Sequence, residues 1–159
     1  MVKAKVYLET TIVSYLMAAP TKDIIQAAHQ EITRRWWTDR DQFDVFVSRA
    51  VVAEARRGDA RAAIRRIRVL RGIPRLAGGR RAVKLAETLL RAGALPRKAE
   101  IDAVHVGIAA VNGIDYLLTW NLRHLANAVI RGKIEETVRE AGFVPPIICT
   151  PEELMEAQP

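Results

Sequence analysis

Val6-Tyr7-Leu8-Glu9-Thr10-Thr11-Ile12-Val13 carries an apolar run into a single acid, two hydroxyl residues and a second apolar pair. The residues before Glu9 read as a buried strand over 3 to 8, and Thr10 to Met17 as a short helix packed behind it that ends before Pro20. A carboxylate directly after a central strand has little purely structural purpose. Its fold-only role would be to cap the next helix, which aspartate, serine and threonine do better, and Thr10 and Thr11 are already at hand.

The same punctuation recurs along the chain. Phe43 to Ser48 is strand-like and leads into a helical stretch with Val51, Val52 and Glu54 that stops near Gly58. Asp115 to Thr119 is a strand followed by Trp120 and Asn121, and Pro145-Pro146 deliver the strand Ile147-Ile148-Cys149. Thr150 caps a last helix with Pro151 at its first position. Between these strands fall helices over Asp23 to Asp39, with Ile25, Ala28, Ile32 and Trp36 on one stripe, over the segment that Asp59 caps and Gly72 ends, and over 80 to 92. Lys98 to Val111 follows, with Ile101, Val104, Ile108 and Val111 as its buried stripe, and then Lys133 to Glu140. Strands separated by helices predict a central, mainly parallel sheet covered on both faces, a three-layer α/β/α sandwich in a single domain spanning 1–159.

In such a sheet, ligands bind outside the carboxyl ends of the strands. Glu9, Glu54, Asp102 and Asn121 all fall just past strand ends or in the first turns of the following helices, so they are expected to converge. Asp102 sits early in its helix, where the helix dipole favours the anion, and His105, three residues on, can share its cleft. Carboxylates brought together repel unless a cation lies between them, and an oxygen-rich set suits Mg²⁺ or Mn²⁺. A metal-assisted hydrolase is the resulting expectation. The alternatives at single positions are an ordinary helix-start aspartate for Asp102 and an ion pair with Arg57 for Glu54. His124 is either a capping histidine or a site member, and His29 has no acid at useful spacing.

Charge is distributed unevenly. From Arg56 to Lys84, ten arginines and one lysine face the single acid Asp59, so this window holds +10 and the remainder sums to −3 of the net +7. Arg57, Arg61, Arg65 and Arg68 recur at helical spacing opposite Ala63, Ile64, Ile67 and Leu70. Such a guanidinium face is either a solvated surface or a track for phosphates or an acidic protein segment. Trp36-Trp37 exceed what one helix face hides, which points to the core or to a dimer contact. No apolar stretch approaches the ~18 residues of a membrane span, and Met1-Val2-Lys3-Ala4-Lys5 lacks a signal core, so neither a membrane nor export is expected. Cys149, the one cysteine, is expected to be buried and inert, in keeping with a reducing, cytoplasmic location.

Taken together, Val6 to Val13, Ser48 to Glu54, Asp102-Ala103-Val104-His105 and Leu117-Leu118-Thr119-Trp120-Asn121 resemble the PIN domain, and more closely the ribonuclease toxins of VapBC-type toxin-antitoxin modules. The resemblance implies a PIN-like parallel sheet and an acidic cluster that binds Mg²⁺ or Mn²⁺ to cut RNA. It further implies a cognate antitoxin protein as partner and a homodimer. In its terms Glu9 matches the first acid, Glu54 the second, Asp102 the third and Asn121 the fourth position, with Thr11 the hydroxyl that supports the first acid. His105 and His124 stand as added contacts to phosphate, proton or metal.

Two positions depart from the family pattern. Glu9 is one methylene longer than the usual aspartate, and Asn121 keeps a carbonyl oxygen without its charge, which favours one tightly held ion over two. A PIN-like module that binds RNA or a protein without cutting is the rival reading. A hydrolase of small phosphate esters is the third, although the chain has no glycine-rich phosphate loop.

Overall fold

The computed structural model describes residues 2–156. Five strands, β1 (Lys5–Leu8), β2 (Asp44–Ser48), β3 (Arg75–Leu76), β4 (Tyr116–Leu118) and β5 (Ile147–Cys149), form one sheet in the order β3-β2-β1-β4-β5, every pair parallel. Among the described residues, eight α-helices connect or follow them: α1 (Thr10–Met17), α2 (Ile24–Thr38), α3 (Arg49–Ala55), α4 (Ala60–Leu70), α5 (Gly79–Arg91), α6 (Glu100–Val111), α7 (Ala128–Glu140) and α8 (Pro151–Glu156). This is the three-layer α/β/α sandwich predicted from the alternation of strands and helices. Val6, Tyr7 and Leu8 of β1 are fully buried, as are Leu117 and Leu118 of β4, because helices cover both faces of these central strands.

Strand order reverses beside β1. The chain steps outward through β2 and β3 on one side, then returns to lay β4 and β5 on the other. The carboxyl ends of β1 and β4 therefore flank the topological switch point, where open α/β sheets leave a crevice. Glu9 follows one of these ends and Thr119 to Asn121 the other.

Several expectations change in detail. A short edge strand, β3, joins the four strands read from the sequence, its Arg75 and Leu76 paired in parallel register with Val47 and Ser48. On α2 the buried residues are Gln30, Thr33 and Trp36, whereas Ile25 is 69% exposed and Ala28 is exposed. The helix phase is set by its large anchor: Trp36 enters the core against Phe43, Thr33 accepts a hydrogen bond from the Trp120 indole at 2.7 Å, and Trp37 lies under the Arg40 guanidinium. Both tryptophans are thus accommodated within the chain.

Ile64 on α4 is exposed although it lies among the apolar residues of that helix. On α6 the expected stripe is incomplete, since Ile101 is partly exposed while Ala103, His105, Val106, Gly107, Ala109 and Ala110 are all buried. This helix is enclosed nearly all round and packs tightly on α5: a Cβ built on Gly107 would run into the Ala82 carbonyl oxygen. α7 begins five residues earlier than predicted, with the Asn127 side chain accepting from Val129 N. Cys149 is buried in β5 and its thiol is pushed up to about 12, first by burial, which disfavours the thiolate that a nucleophile needs. Among the described residues, no helix is long and apolar enough to cross a membrane.

Candidate active site

Glu9 leaves β1 as the N-cap of α1, its backbone extended and its amide bonded to the Leu118 carbonyl of β4. The side chain turns back over the helix start. Oε2 accepts from Thr11 N, and Oε1 accepts from the hydroxyls of Thr11 and Thr119. Thr11 thus contacts Glu9 through both its amide and its hydroxyl, and Thr119 adds a second hydroxyl from across the switch point. Glu9 is only 3% exposed. Burial pushes its carboxyl above the usual carboxylate range, opposed by the nearby His105 and by the hydrogen bonds from Thr11 and Thr119.

Glu54 projects from α3 toward the same place. Its Oε1 accepts from the Thr10 hydroxyl at 2.6 Å and lies 2.6 Å from His105 Nε2. Half-burial raises this carboxyl, but the hydrogen bond and charge of His105, with Thr10 and the more distant Arg57, outweigh it and hold the group below its ordinary value. The alternative of a direct ion pair with Arg57 does not form. Oε2 of Glu54 has no hydrogen-bond partner among the described residues.

His105 is fully buried rather than bordering a cleft. Its Nδ1 is hydrogen-bonded to the Tyr7 hydroxyl at 2.7 Å, and Tyr7 in turn to the Ser48 hydroxyl at 2.7 Å. Ser48 caps α3, accepting from Val51 N. A continuous chain of hydrogen bonds thus runs from the α3 cap through β1 and α6 to Glu54. Donor atoms of Glu9, Glu54 and His105 all lie within 4.8 Å of one another.

Asp102 is held in a neighbouring group. Its Oδ1 accepts from Asn121 Nδ2 and its Oδ2 is 3.0 Å from His124 Nδ1, while Asn121 Oδ1 accepts from the His124 amide. Asn121 therefore spends its carbonyl oxygen on the backbone and its amide on Asp102, the pattern of a positioning residue. The two groups are joined through Thr119, whose hydroxyl donates to Glu9 and accepts from Asn121 N. Among the described residues, no lysine or arginine pairs with Glu9, Glu54 or Asp102.

The structure thus gathers Glu9, Glu54 and His105 closely, and sets Asp102, Asn121 and His124 beside them through shared hydrogen bonds. His29 lies outside both groups, stacked on Trp120 with 4.0 Å between ring centroids. Tyr7, Thr10, Ser48 and Thr119 enter as members that spacing alone did not single out. Tyr7 reads as an ordinary apolar strand position, and only its hydroxyl, fully buried on a central strand, hints at an obligatory partner. Chemically, carboxylate oxygens with no lysine or arginine partner among the described residues, including the unbonded Oε2 of Glu54, make a hard, anionic donor set suited to a divalent cation.

No family model matches the sequence, and no curated protein does. Among solved structures, the chain is similar to VapC20 of Mycobacterium tuberculosis, a sarcin-ricin loop cleaving toxin, at 19% identity over 87% of this chain and 96% of that one, with a TM-score of 0.56. At that identity the likeness is one of fold, and the chain accordingly has the PIN-like α/β/α fold of the VapC type.

Proposed function

We propose that this protein is a divalent-metal-dependent endoribonuclease, acting as the toxin of a toxin-antitoxin module. The observation that carries the reading is the close approach of Glu9 and Glu54 without a lysine or arginine between them, beside Asp102 and outside the strand ends at the switch point. Glu9, Glu54 and Asp102 would hold Mg²⁺ or Mn²⁺, which when bound supplies an acidified water and Lewis-acid stabilisation of charge on the phosphate.

The chain's own groups do the positioning. Thr11 and Thr119 fix Glu9, His105 and Thr10 fix one oxygen of Glu54 and leave the other free, and Asn121 orients Asp102. His124, paired with Asp102 and part-exposed, would hand a proton to the leaving oxygen. Arg61, Arg65 and Arg68 on α4, exposed and without acidic partners among the described residues, would follow the RNA backbone. VapC20, which shares the fold, cleaves the sarcin-ricin loop, and this supports a structured RNA as substrate; a small antitoxin protein and a second copy of the chain are the partners that the sequence resemblance implies.

The rival reading, a module that binds without cutting, is disfavoured by the free Glu54 oxygen and by the absence, among the described residues, of a lysine or arginine paired with any of the three acids. The test is cleavage of a mixed RNA by the purified protein. Cutting with Mg²⁺ or Mn²⁺, arrest by EDTA, and loss of about 10² to 10³ in rate in a folded Asp102→Ala variant are expected. RNA binding with no cleavage under any divalent ion would favour the module, and phosphate release from small esters would favour the third reading.

A further inference from the structure

We propose that the cavity at the carboxyl ends of β2 and β3 is a nucleotide subsite of the same nuclease, seating an RNA residue that flanks the bond to be cut. This rests on the ribonuclease reading above. The cavity has a volume of about 560 Å³ and is lined by Ser48, Arg49, Arg75, Leu76, Gly78 and Ile108 among others. Its chemistry is divided in a way that suits a nucleotide. Arg49 and Arg75 are exposed and form no salt bridge among the described residues, so both guanidinium groups are available to a phosphate. Leu76 and Ile108 give an apolar wall for a base, against which an arginine plane can also stack.

The lip of the cavity is bare backbone. Gly78 is in the right-handed helical region, and Gly79 follows with φ +70, a conformation that glycine adopts without strain. A Cβ on Gly79 would meet nothing within 4 Å, so a ligand can approach the main chain there. Successive residues of opposite hand turn their N–H groups toward one side, which adds donors for an anion. Among the described residues no side chain caps the start of α5, so those donors have no side-chain partner there.

Its position ties the cavity to the acidic cluster. Ser48 lines the cavity and is hydrogen-bonded to Tyr7, which holds His105. Ile108 lies one turn beyond His105 on α6, and Arg49 opens the helix that carries Glu54. Neighbouring strands are about 5 Å apart, so the mouth over β2 and β3 sits on the order of 5–10 Å from the end of β1, a step that one or two nucleotides of an extended strand cover. An acidic peptide without aromatic residues would satisfy the arginines but leave the apolar wall uncovered.

The experiment follows binding of a short fluorescein-labelled single-stranded RNA by anisotropy in EDTA, with the full chain, over a range of salt. Two variants are compared with the wild type: Arg49→Ala/Arg75→Ala, which removes the cations, and Ala77→Trp, which fills the cavity from its exposed rim and keeps them. The first is expected to weaken binding at least tenfold and to flatten the slope of log K against log salt by about 0.7 for each phosphate no longer neutralised. The second is expected to weaken binding with the slope unchanged. Both should raise KM in a cleavage assay with Mn²⁺. Wild-type RNA binding and cleavage that neither variant alters would overturn the subsite and leave the nuclease standing. Variants that keep RNA affinity but lose affinity for a polyglutamate peptide would reassign the cavity to an acidic protein. A wild type that neither binds nor cuts RNA would remove the ribonuclease reading and the subsite with it.

Discussion

Burying Glu9 with no lysine or arginine beside it costs stability unless its proton stays on or a cation is taken up. Three hydrogen bonds from Thr11 and Thr119 offset part of that cost, yet the carboxyl remains above its ordinary range. An acid whose folded-state pKa is raised favours folding only while protonated, so its penalty is absent below the ordinary glutamate value of 4.5 and grows as pH rises through the folded value. Glu9→Gln is therefore expected to raise Tm at pH 7 in the absence of divalent ions, and the gain should vanish below about pH 4.5; the same variant should lose cleavage. Thermal melts of both proteins across pH check this, and a variant less stable than wild type at pH 7 would show that Glu9 is not strained by its charge. Tyr7 acts one step further from the substrate. Tyr7→Phe removes the hydroxyl that ties His105 to Ser48, and partners at this remove typically contribute 10–100-fold, so a cleavage rate about tenfold lower with the fold kept is expected. Replacement with no effect on rate would mean that Glu54 is held well enough by Thr10 alone. Glu9 was legible in the sequence because an acid after a central strand is anomalous by itself. The tie from His105 to Glu54 was not, because it depends on which side of α6 faces α3, and a helix buried all round carries no periodic pattern to reveal that.

At the scale of elements, α6 shows how close packing replaces amphipathicity as the organising rule. Gly107 has no room for a side chain: a Cβ there would collide with the Ala82 backbone of α5, which cannot rotate away as a side chain would. Gly107→Ala should therefore separate α5 from α6 and cost about 1–3 kcal/mol, the usual range for overpacking. For a domain of this size that lowers Tm by roughly 2–4 °C for each kcal/mol. Because Asp102 and His105 ride on the same helix, cleavage should fall by more than stability at the assay temperature accounts for. A variant as stable and active as wild type would mean that the two helices have slack. The phase of α2 escaped the sequence for a related reason: Ile25 and Ala28 look like part of the apolar stripe, but Trp36 and the bond from Trp120 to Thr33 rotate the helix so that they face outward. β3 was hidden by its length, since two residues pair in parallel register with β2 without any alternating pattern to mark them.

For the molecule as a whole, the alternation of strands and helices was enough to predict the parallel sandwich, and the order β3-β2-β1-β4-β5 then follows one reversal beside β1. That reversal draws residues more than a hundred positions apart to one crevice, where Glu9 meets Thr119. It also concentrates negative charge at the switch point while the +10 window from Arg56 to Lys84 lies on α4, β3 and α5. Attraction between an anionic pocket and a divalent cation should then register in the stability of the entire fold, independently of any RNA. Ligands that bind only the folded state stabilise it by RT ln(1 + [L]/Kd), about 2.7 kcal/mol at a concentration one hundred times Kd. With roughly 2–4 °C for each kcal/mol in a chain of this length, saturating Mn²⁺ should raise Tm by about 5–10 °C over protein in EDTA. Glu54→Gln/Asp102→Asn should abolish most of that shift, read as the difference between the variant's own melts in Mn²⁺ and in EDTA, because it removes two charges that serve as donors; its melt in EDTA should itself fall somewhat, since His105 and His124 lose their carboxylate partners. Equal melting temperatures for the wild type in Mn²⁺, Mg²⁺ and EDTA would mean that the carboxylates are tolerated without a guest, and would turn the reading of this crevice toward a surface that binds RNA or protein without cutting.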